Sequence, residues 1–244
     1  MKKEKNSNNI LELKDINAGY DSRRVVLHDV SAKIQNEAIT VIMGPNGAGK
    51  STMLKVMYGL LKPKTGEIFL NNNKITPKPQ NLVEEGIFMI PQGKRVFRNM
   101  TVLENLELAT HFWKSRDGFE DKLEEVIKHF PDLKPRFDDM AGNLSGGQQQ
   151  MVAIARVLIN KPKLVFLDEP SIGLSPKLIQ DTFNKIKEIK DKTGTGFVIV
   201  EHNLKSLLPL TDHAYILDQG RVIYDGSATG KTLDKMMTSI FKKQ

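Results

Sequence analysis

The sequence predicts an α/β domain whose central sheet is largely parallel. Two observations lead to this class: short apolar runs rich in β-branched residues recur along the chain, and segments with helical periodicity separate them. The run at 164–167 is continuously apolar, as expected for a strand that has helices over both faces. The expected strands are 10–16, 25–34, 38–43, 67–70, 86–90, 163–167, 196–200, 213–217 and 221–224.

Helical patterns replace the strand pattern between residues 91 and 160. They lie at 101–110, 119–130 and 145–159. We therefore expect one domain over 1–244, with a core formed by 1–91 and 160–244 and a helical subdomain at 92–159. A final amphipathic helix is expected near the end of the chain, because apolar residues follow helical spacing there. They are Leu233, Met236, Met237, Ile240 and Phe241.

Composition excludes several classes of protein. The chain has no cysteine, so it cannot form disulfides or thiolate metal sites. Its apolar runs are far shorter than the roughly 20 residues of a membrane helix, and its polar start does not fit a secretory signal peptide. The net charge of +7 is spread along the chain, which favours a solvated surface over a nucleic-acid site.

A glycine-rich loop follows the expected strand 38–43 and precedes helical sequence. Glycines let backbone N–H groups approach phosphate oxygens, and the following helix presents its positive end. Lys50 offers a cation for the β- and γ-phosphates, and Ser51 offers a hydroxyl for magnesium. The alternative is a glycine-rich turn before an ordinary helix, which the strand–loop–helix context disfavours. The predicted phosphate-binding residues are Gly44, Pro45, Asn46, Gly47, Ala48, Gly49, Lys50, Ser51 and Thr52.

Two acids, Asp168 and Glu169, follow the apolar run 164–167 directly. A phosphate loop needs a second carboxylate for magnesium, and Asp168 is placed to hold the ion directly or through water. Glu169 points in a different direction, where it is placed to act as general base on an attacking water. Alone, such a pair would more simply cap a loop. Beside a phosphate loop, we favour the metal ligand and the base.

A serine and two glycines open the helical segment 145–159. Ser145 can cap this helix, whose expected buried face is Met151, Ile154, Ala155 and Leu158. The N-terminal end of the helix is a second anion-binding surface in a chain that already has one. Two such surfaces for one nucleotide suggest that they come from different subunits. The second surface consists of Ser145, Gly146, Gly147 and Gln148.

The phosphate loop, the signature at 144–148 and the Asp168–Glu169 pair, in this order, resemble the ATP-binding cassette (ABC) ATPases. The resemblance covers nearly the whole chain. It implies a P-loop NTPase fold of ABC type, with a mostly parallel core sheet, an antiparallel β subdomain and an inserted helical subdomain. It also implies ATP hydrolysis with Mg²⁺. In the family, two copies form a dimer in which each signature covers the γ-phosphate on the other's phosphate loop.

Further roles follow from the resemblance one residue at a time. Tyr20 lies where an aromatic ring stacks on adenine, although a strand-edge tyrosine is the alternative. Gln92 matches the glutamine that senses magnesium and the attacking water, and His202 matches the histidine that contacts the γ-phosphate. The resemblance thus implies catalytic roles for Glu169, His202 and Gln92, and magnesium ligands at Ser51, Gln92 and Asp168.

Ser175 departs from the common family pattern, because many relatives end the loop 171–175 with aspartate. Serine can form hydrogen bonds but cannot carry charge across a dimer interface. The resemblance therefore leaves open how strongly the two ATP sites of a dimer are coupled.

The segments 90–97, 100–106 and 169–176 resemble the ATPases of branched-chain amino acid importers. Those relatives often carry glutamate and glutamine where this chain has Gln92 and His202. The resemblance implies a homodimer or heterodimer of ATPase subunits, integral membrane permease subunits and an extracytoplasmic solute-binding protein, without nucleic acid. The expected location is cytoplasmic, peripheral on the inner face of the cell membrane.

Three alternatives remain within the same family. The ATPases of lipopolysaccharide-export and urea-import systems share the pattern. A non-transport ABC ATPase that acts on ribosomes or DNA would suit the positive charge. Such proteins usually carry two cassettes or a long coiled-coil insertion, and the stretch between Lys50 and Ser145 has room only for the helical subdomain.

Overall fold

Strands are interspersed with helices along the chain, as in other α/β proteins. The computed structural model describes residues 9–229 except 22, 94, 114 and 203, together with residue 233. Its strands are β1 (Asn9–Ala18), β2 (Leu27–Gln35), β3 (Ile39–Met43), β4 (Thr65–Leu70), β5 (Asn73–Ile75), β6 (Ile87–Ile90), β7 (Leu164–Asp168), β8 (Gly196–Val200), β9 (His213–Asp218) and β10 (Arg221–Ser227). Its α-helices are α1 (Lys50–Met57), α2 (Pro79–Glu84), α3 (Val102–Glu107), α4 (Phe119–Ile127), α5 (Gly146–Leu158), α6 (Pro176–Thr193) and α7 (Leu204–Leu207).

Two sheets form the architecture. The core sheet has six strands in the order β10-β9-β3-β8-β7-β6, and all neighbours pair in parallel except β10 with β9. The second sheet has the order β2-β1-β4-β5 and is antiparallel throughout. The predicted class, a mostly parallel core sheet with an antiparallel β unit, is confirmed.

Both faces of the core sheet are covered, which explains its continuously apolar strands. On β7, Val165 and Leu167 belong to the apolar cluster that the helices α3, α4, α5 and α6 share. Leu164 and Phe166 point to the opposite face, into the cluster formed with α1 and the second sheet. The ring of Tyr58 meets Phe166 edge-on there, with centroids 5.9 Å apart. A strand buried on both sides needs no polar positions, so its sequence does not alternate.

The pairing register brings the carboxyl ends of four parallel strands to one edge. Ile42 of β3 pairs with Val200 of β8, which also pairs with Asp168 of β7, and Leu167 pairs with Ile90 of β6. The segments that follow these strands therefore begin side by side. Ligands of open α/β sheets bind at this edge, beyond the carboxyl ends of the strands.

The segment between β6 and β7 contains helices, as its sequence pattern predicts, but two details differ. The helix expected over 101–110 ends after α3, and the chain continues as a tighter 3₁₀ helix at Leu108–Phe112. On α5, Ile154, Ala155 and Leu158 are buried as predicted, whereas Met151 is only half-buried against the same cluster. Gln150 takes a fully buried position instead, which an apolar pattern could not indicate.

Most of the expected C-terminal helix lies outside the described residues. Of its five apolar positions only Leu233 is described; it is 1% exposed and packs into the helical apolar cluster. Across the described ranges, no helix combines the length and the apolar character that crossing a bilayer requires.

Candidate functional site

The loop between β3 and α1 is held in a conformation that only glycine accepts at two points. Gly44 has a φ of 150°, and a Cβ there would lie 2.1 Å from the carbonyl oxygen of Leu217. Gly49 has a φ of 103°, and its Cβ would lie 2.8 Å from Leu27 Cδ2. Gly44 and Gly49 of the predicted phosphate loop are thus required by close packing as well as by backbone conformation.

Lys50 is the first residue of α1 and is buried, with 5% of its surface exposed. Its ammonium donates hydrogen bonds to the carbonyl oxygens of Gly44 (2.9 Å) and Pro45 (2.8 Å). Burial lowers the pKa of Lys50, and the nearby charges of Glu169 and Asp168 oppose that shift. A desolvated cation at a helix N-terminus favours an anionic partner.

Asp168, at the end of β7, contacts the phosphate-loop helix directly. Ser51 Oγ donates to Asp168 Oδ1 at 3.0 Å. Burial raises the pKa of Asp168; the Ser51 hydrogen bond opposes the shift, and the charge of Glu169 adds to it. A hydroxyl and a carboxylate that face each other provide the hard oxygen ligands that Mg²⁺ prefers.

Glu169 has a left-handed backbone conformation, with a φ of 49°, and its side chain has partners other than those of Asp168. Its two carboxylate oxygens have separate partners. Gln92 Nε2 donates to Oε2 at 2.7 Å, and His202 Nε2 lies 2.8 Å from Oε1. Residues from the ends of β6, β7 and β8 therefore meet at one carboxylate, although 77 positions separate Gln92 from Glu169.

A cavity of about 400 Å³ lies beside this group, within the usual size range of ligand pockets. Tyr20 lines it with 58% of its surface exposed, and its hydroxyl lies 3.3 Å from Thr52 Oγ1. Lys55 donates to the same hydroxyl at 3.2 Å. The cavity is lined by Tyr20, Asp21, Arg24, Val26, Asn46, Gly47, Gly49, Lys50, Ser51, Thr52, Glu169 and His202.

The signature residues lie elsewhere on the chain and do not line that cavity. Ser145 caps α5: its hydroxyl accepts from Gln148 N at 3.3 Å, while Gln148 Oε1 accepts from Ser145 N at 3.0 Å. Gly147 is buried against α6, where a Cβ would lie 3.0 Å from Leu178 Cδ2. The structure thus shows two helix N-termini suited to anions, at separate places on one chain.

Glu201 is a buried residue at this edge that our sequence reasoning missed. It is 2% exposed, and its carboxylate accepts from His202 N at 2.6 Å and from Ser171 N at 3.2 Å. It therefore connects the histidine to the loop after Glu169. The signal was an acid directly after the apolar run 196–200, since an acid is rarely buried without partners.

A glycine-rich loop and a buried acid, at the ends of parallel strands separated by one strand, define a P-loop ATPase. The family model for ABC transporters matches residues 27–172, more than half of the chain. The chain therefore belongs to the ABC transporter family; it is an ABC-type ATPase, the ATP-binding subunit of a transporter.

Individual relatives agree with this assignment. The probable branched-chain amino acid transport ATP-binding protein LivF of Archaeoglobus fulgidus is 39% identical, over 87% of this chain and 90% of the relative. The lipopolysaccharide export system ATP-binding protein LptB of Escherichia coli is 32% identical, over 95% of this chain and 96% of the relative. A bacterial ABC transporter cassette solved as a dimer superposes with a TM-score of 0.78 at 28% identity, over 90% of this chain and 99% of that one.

Proposed function

We propose that this chain hydrolyses ATP to drive import of branched-chain amino acids or similar small solutes through separate permease subunits. The carboxylate of Glu169, held between Gln92 and His202 beside the phosphate loop, is the observation that carries the hydrolytic part. The cargo is inferred from the relative that is 39% identical. The chain would then lie on the inner face of the membrane, held there by the permease.

The ATP triphosphate is proposed to bind at the loop 44–52. Lys50, whose ammonium bonds to two loop carbonyls, would turn to the β- and γ-phosphates. This exchange is favourable because burial already penalises the lysine charge, and phosphate oxygens compensate it better than neutral carbonyls do. Tyr20 presents an exposed ring at the same cavity, where it would stack on adenine.

We propose that Ser51, Asp168 and Gln92 hold Mg²⁺. The fit rests on the opposed oxygens of Ser51 and Asp168 and on the burial that makes negative charge on Asp168 costly. A divalent cation offsets that cost. When bound, the ion would neutralise charge that develops on the phosphates.

Glu169 is proposed to take the proton of the attacking water. Gln92 and His202 fix both oxygens of its carboxylate, which limits its orientation without neutralising its charge. His202 Nε2, which lies 2.8 Å from Glu169 Oε1, would donate to the carboxylate when the imidazole carries its proton there. Gln92 contacts the base through its amide N–H, and its amide oxygen would be the ligand that it offers to the proposed metal.

A second copy of the chain, or a related subunit, is proposed to complete each ATP site. Ser145 does not line the cavity of its own chain, so its phosphate partner would be the ATP of the other subunit. Capping and phosphate binding are compatible, because the Ser145 hydroxyl accepts from Gln148 N and keeps its proton to donate. Gly146, Gly147 and Gln148 would contribute the helix N-terminus to the same phosphate.

A detergent pull-down from native membranes tests the transport assignment. The tagged chain should retain integral permease subunits, and these should match importers that work with an extracytoplasmic solute-binding protein. Uptake of labelled leucine should require the native chain and fail with Glu169→Gln. The matched control is Glu67→Gln, which removes an exposed glutamate paired with Lys74 and should leave uptake intact. Recovery of nucleic acid without any integral membrane protein would contradict the proposal.

A lipopolysaccharide-export role is the second candidate, because the relative of that name aligns over 95% of the chain. The same pull-down separates the two. Permeases associated with periplasmic export components, together with leucine uptake that does not depend on this chain, would favour export over import.

A further inference from the structure

Arg95 connects two segments of the site that are distant in sequence. Its Nη1 donates to the carbonyl oxygen of Gly146 at 3.4 Å, and its Nη2 donates to the carbonyl oxygen of Ile172. Gly146 is the first residue of α5, and Ile172 lies in the loop after Glu169. A single guanidinium therefore bridges the start of the signature helix and the loop that follows the proposed base.

The backbone around Arg95 is itself fixed from the helical part of the chain. Arg156 Nη2 donates to the carbonyl oxygen of Arg95 at 3.0 Å, and its Nη1 donates to Asn105 Oδ1 at 3.3 Å. Asn105 is fully buried and exchanges hydrogen bonds with both the N–H and the carbonyl of Phe97, at 2.8 and 2.9 Å. Arg95 is thus placed by an anchored segment and is not a freely moving surface side chain.

The atoms around Gly146 are closely packed at this contact. A Cβ on Gly146 would lie 3.4 Å from Arg95 Nη1 and 3.2 Å from Leu174 Cδ2. Two carbonyl oxygens accept from the planar fork of one arginine, a geometry that the single ammonium of lysine does not reproduce. Through the Arg95 guanidinium, the segment that carries Gln92 therefore contacts both the loop after Glu169 and the start of α5.

We propose that Arg95 is a positioning residue for ATP hydrolysis. It holds the start of α5 and the loop after Glu169 in a fixed position relative to Gln92. One residue therefore fixes the position of both the surface offered to the second subunit and the carboxylate of the base. Arg95 does not line the cavity, and the side-chain partners of Glu169 are Gln92 and His202. The inference rests on the proposed roles of Ser145, Gln92 and Glu169.

The test compares Arg95→Ala, Arg95→Lys and the matched control Arg98→Ala. Arg98 lies in the same segment and carries the same charge, but its guanidinium reaches Gly142 instead of the site. The readouts are kcat and KM for ATP, the ATP affinity and binding stoichiometry by calorimetry, and ATP-dependent dimer formation in a Glu169→Gln background by light scattering. The last readout reports on the surface that Arg95 is proposed to set.

Arg95→Ala removes both hydrogen bonds and should lower kcat at least about tenfold, since the loss of even one hydrogen bond to a charged group has an effect of that size. ATP affinity should change less than about twofold because Arg95 does not line the cavity, and dimer formation should need about tenfold more protein. Arg95→Lys should recover only part of kcat, and Arg98→Ala should behave as the native chain. A kcat within twofold of the Arg98→Ala value would overturn the proposal. So would parallel losses of kcat and binding stoichiometry, because these report unfolding.

The proposed function and the positioning role of Arg95 are refuted by different results. Normal turnover by Glu169→Gln refutes the role of the base, whatever Arg95 does. An inactive Glu169→Gln together with a fully active Arg95→Ala refutes only the positioning role.

Discussion

Replacing Glu169 by glutamine tests the proposed base with little disturbance of the structure. The remaining carbonyl oxygen can still accept from Gln92 Nε2, now 2.7 Å from the carboxylate. The new amide can donate to His202 Nε2, at 2.8 Å, if the imidazole carries its proton on Nδ1. Both contacts can therefore survive in a side chain of the same shape, and the main loss is basicity.

The expected loss of turnover is about 10²–10⁴-fold, the usual contribution of a general base. At about 1.36 kcal/mol per factor of ten, this raises the barrier by about 2.7–5.4 kcal/mol. ATP affinity should be unchanged or slightly tighter, because a negative charge beside the triphosphate is removed.

Phosphate release at saturating Mg²⁺ and ATP measures the turnover, and calorimetry measures the affinity. Glu67→Gln is the control, because it removes an equal charge from an exposed ion pair on β4. Steady-state hydrolysis by Glu169→Gln within about threefold of the native rate would refute the assignment, since no general base contributes so little.

Four further variants test other parts of the site and fold. Lys50→Ala should abolish tight ATP binding, and an unchanged affinity by calorimetry would contradict our view of the loop. Tyr20→Ala should weaken ATP binding about 5- to 150-fold if the ring stacks on adenine, whereas Tyr20→Phe should keep the affinity. Asp168→Asn should raise the melting temperature of the nucleotide-free protein at pH 7 but remove its stabilisation by Mg²⁺ and ATP. Burial raises the pKa of Asp168 in the folded protein above its ordinary 3.8, so the ionised carboxylate lowers the stability of the fold at pH values above that raised pKa. The difference in melting temperature between the variant and the native protein should therefore disappear in acid, where Asp168 is protonated. Equal melting curves at pH 7 would contradict this. Trp113→Phe loses the 2.7 Å hydrogen bond to Asn160, which should cost about 1 kcal/mol and about 2–4 °C in melting temperature with hydrolysis unchanged.

The sequence predicted the core strands well because burial on both faces leaves a strong pattern. All nine expected strands are present, with ends within three residues of the prediction. The short β5 was not predicted, since three residues with two asparagines nearby show no alternation. Helix α3 was predicted too long because the apolar period continues smoothly into the 3₁₀ turn at Leu108–Phe112.

Site residues that lie in one contiguous motif could be predicted from the sequence. Site residues that the fold brings together from distant segments could not. The loop 44–52 and the signature at 145–148 are contiguous, so spacing alone identifies them. The contacts of Glu169 with Gln92 and His202 depend on strand order and register, and only the family resemblance indicated these residues. Arg95 gave no signal, because its two acceptors are backbone carbonyls, which any residue supplies.

The loop after Glu169 forms hydrogen bonds with two segments that are distant in sequence. Glu201, which follows β8, accepts from Ser171 N, and Arg95, which lies in the segment after β6, donates to the carbonyl oxygen of the next residue, Ile172. A displacement of either segment would therefore move this loop, which begins two residues after the proposed base. The loop ends at Ser175, which precedes α6 without a side-chain capping bond, so its hydroxyl is not committed to the helix. Since serine carries no charge, we expect the two ATP sites of a dimer to be coupled through the backbone hydrogen bonds of this loop and not through an ion pair at position 175.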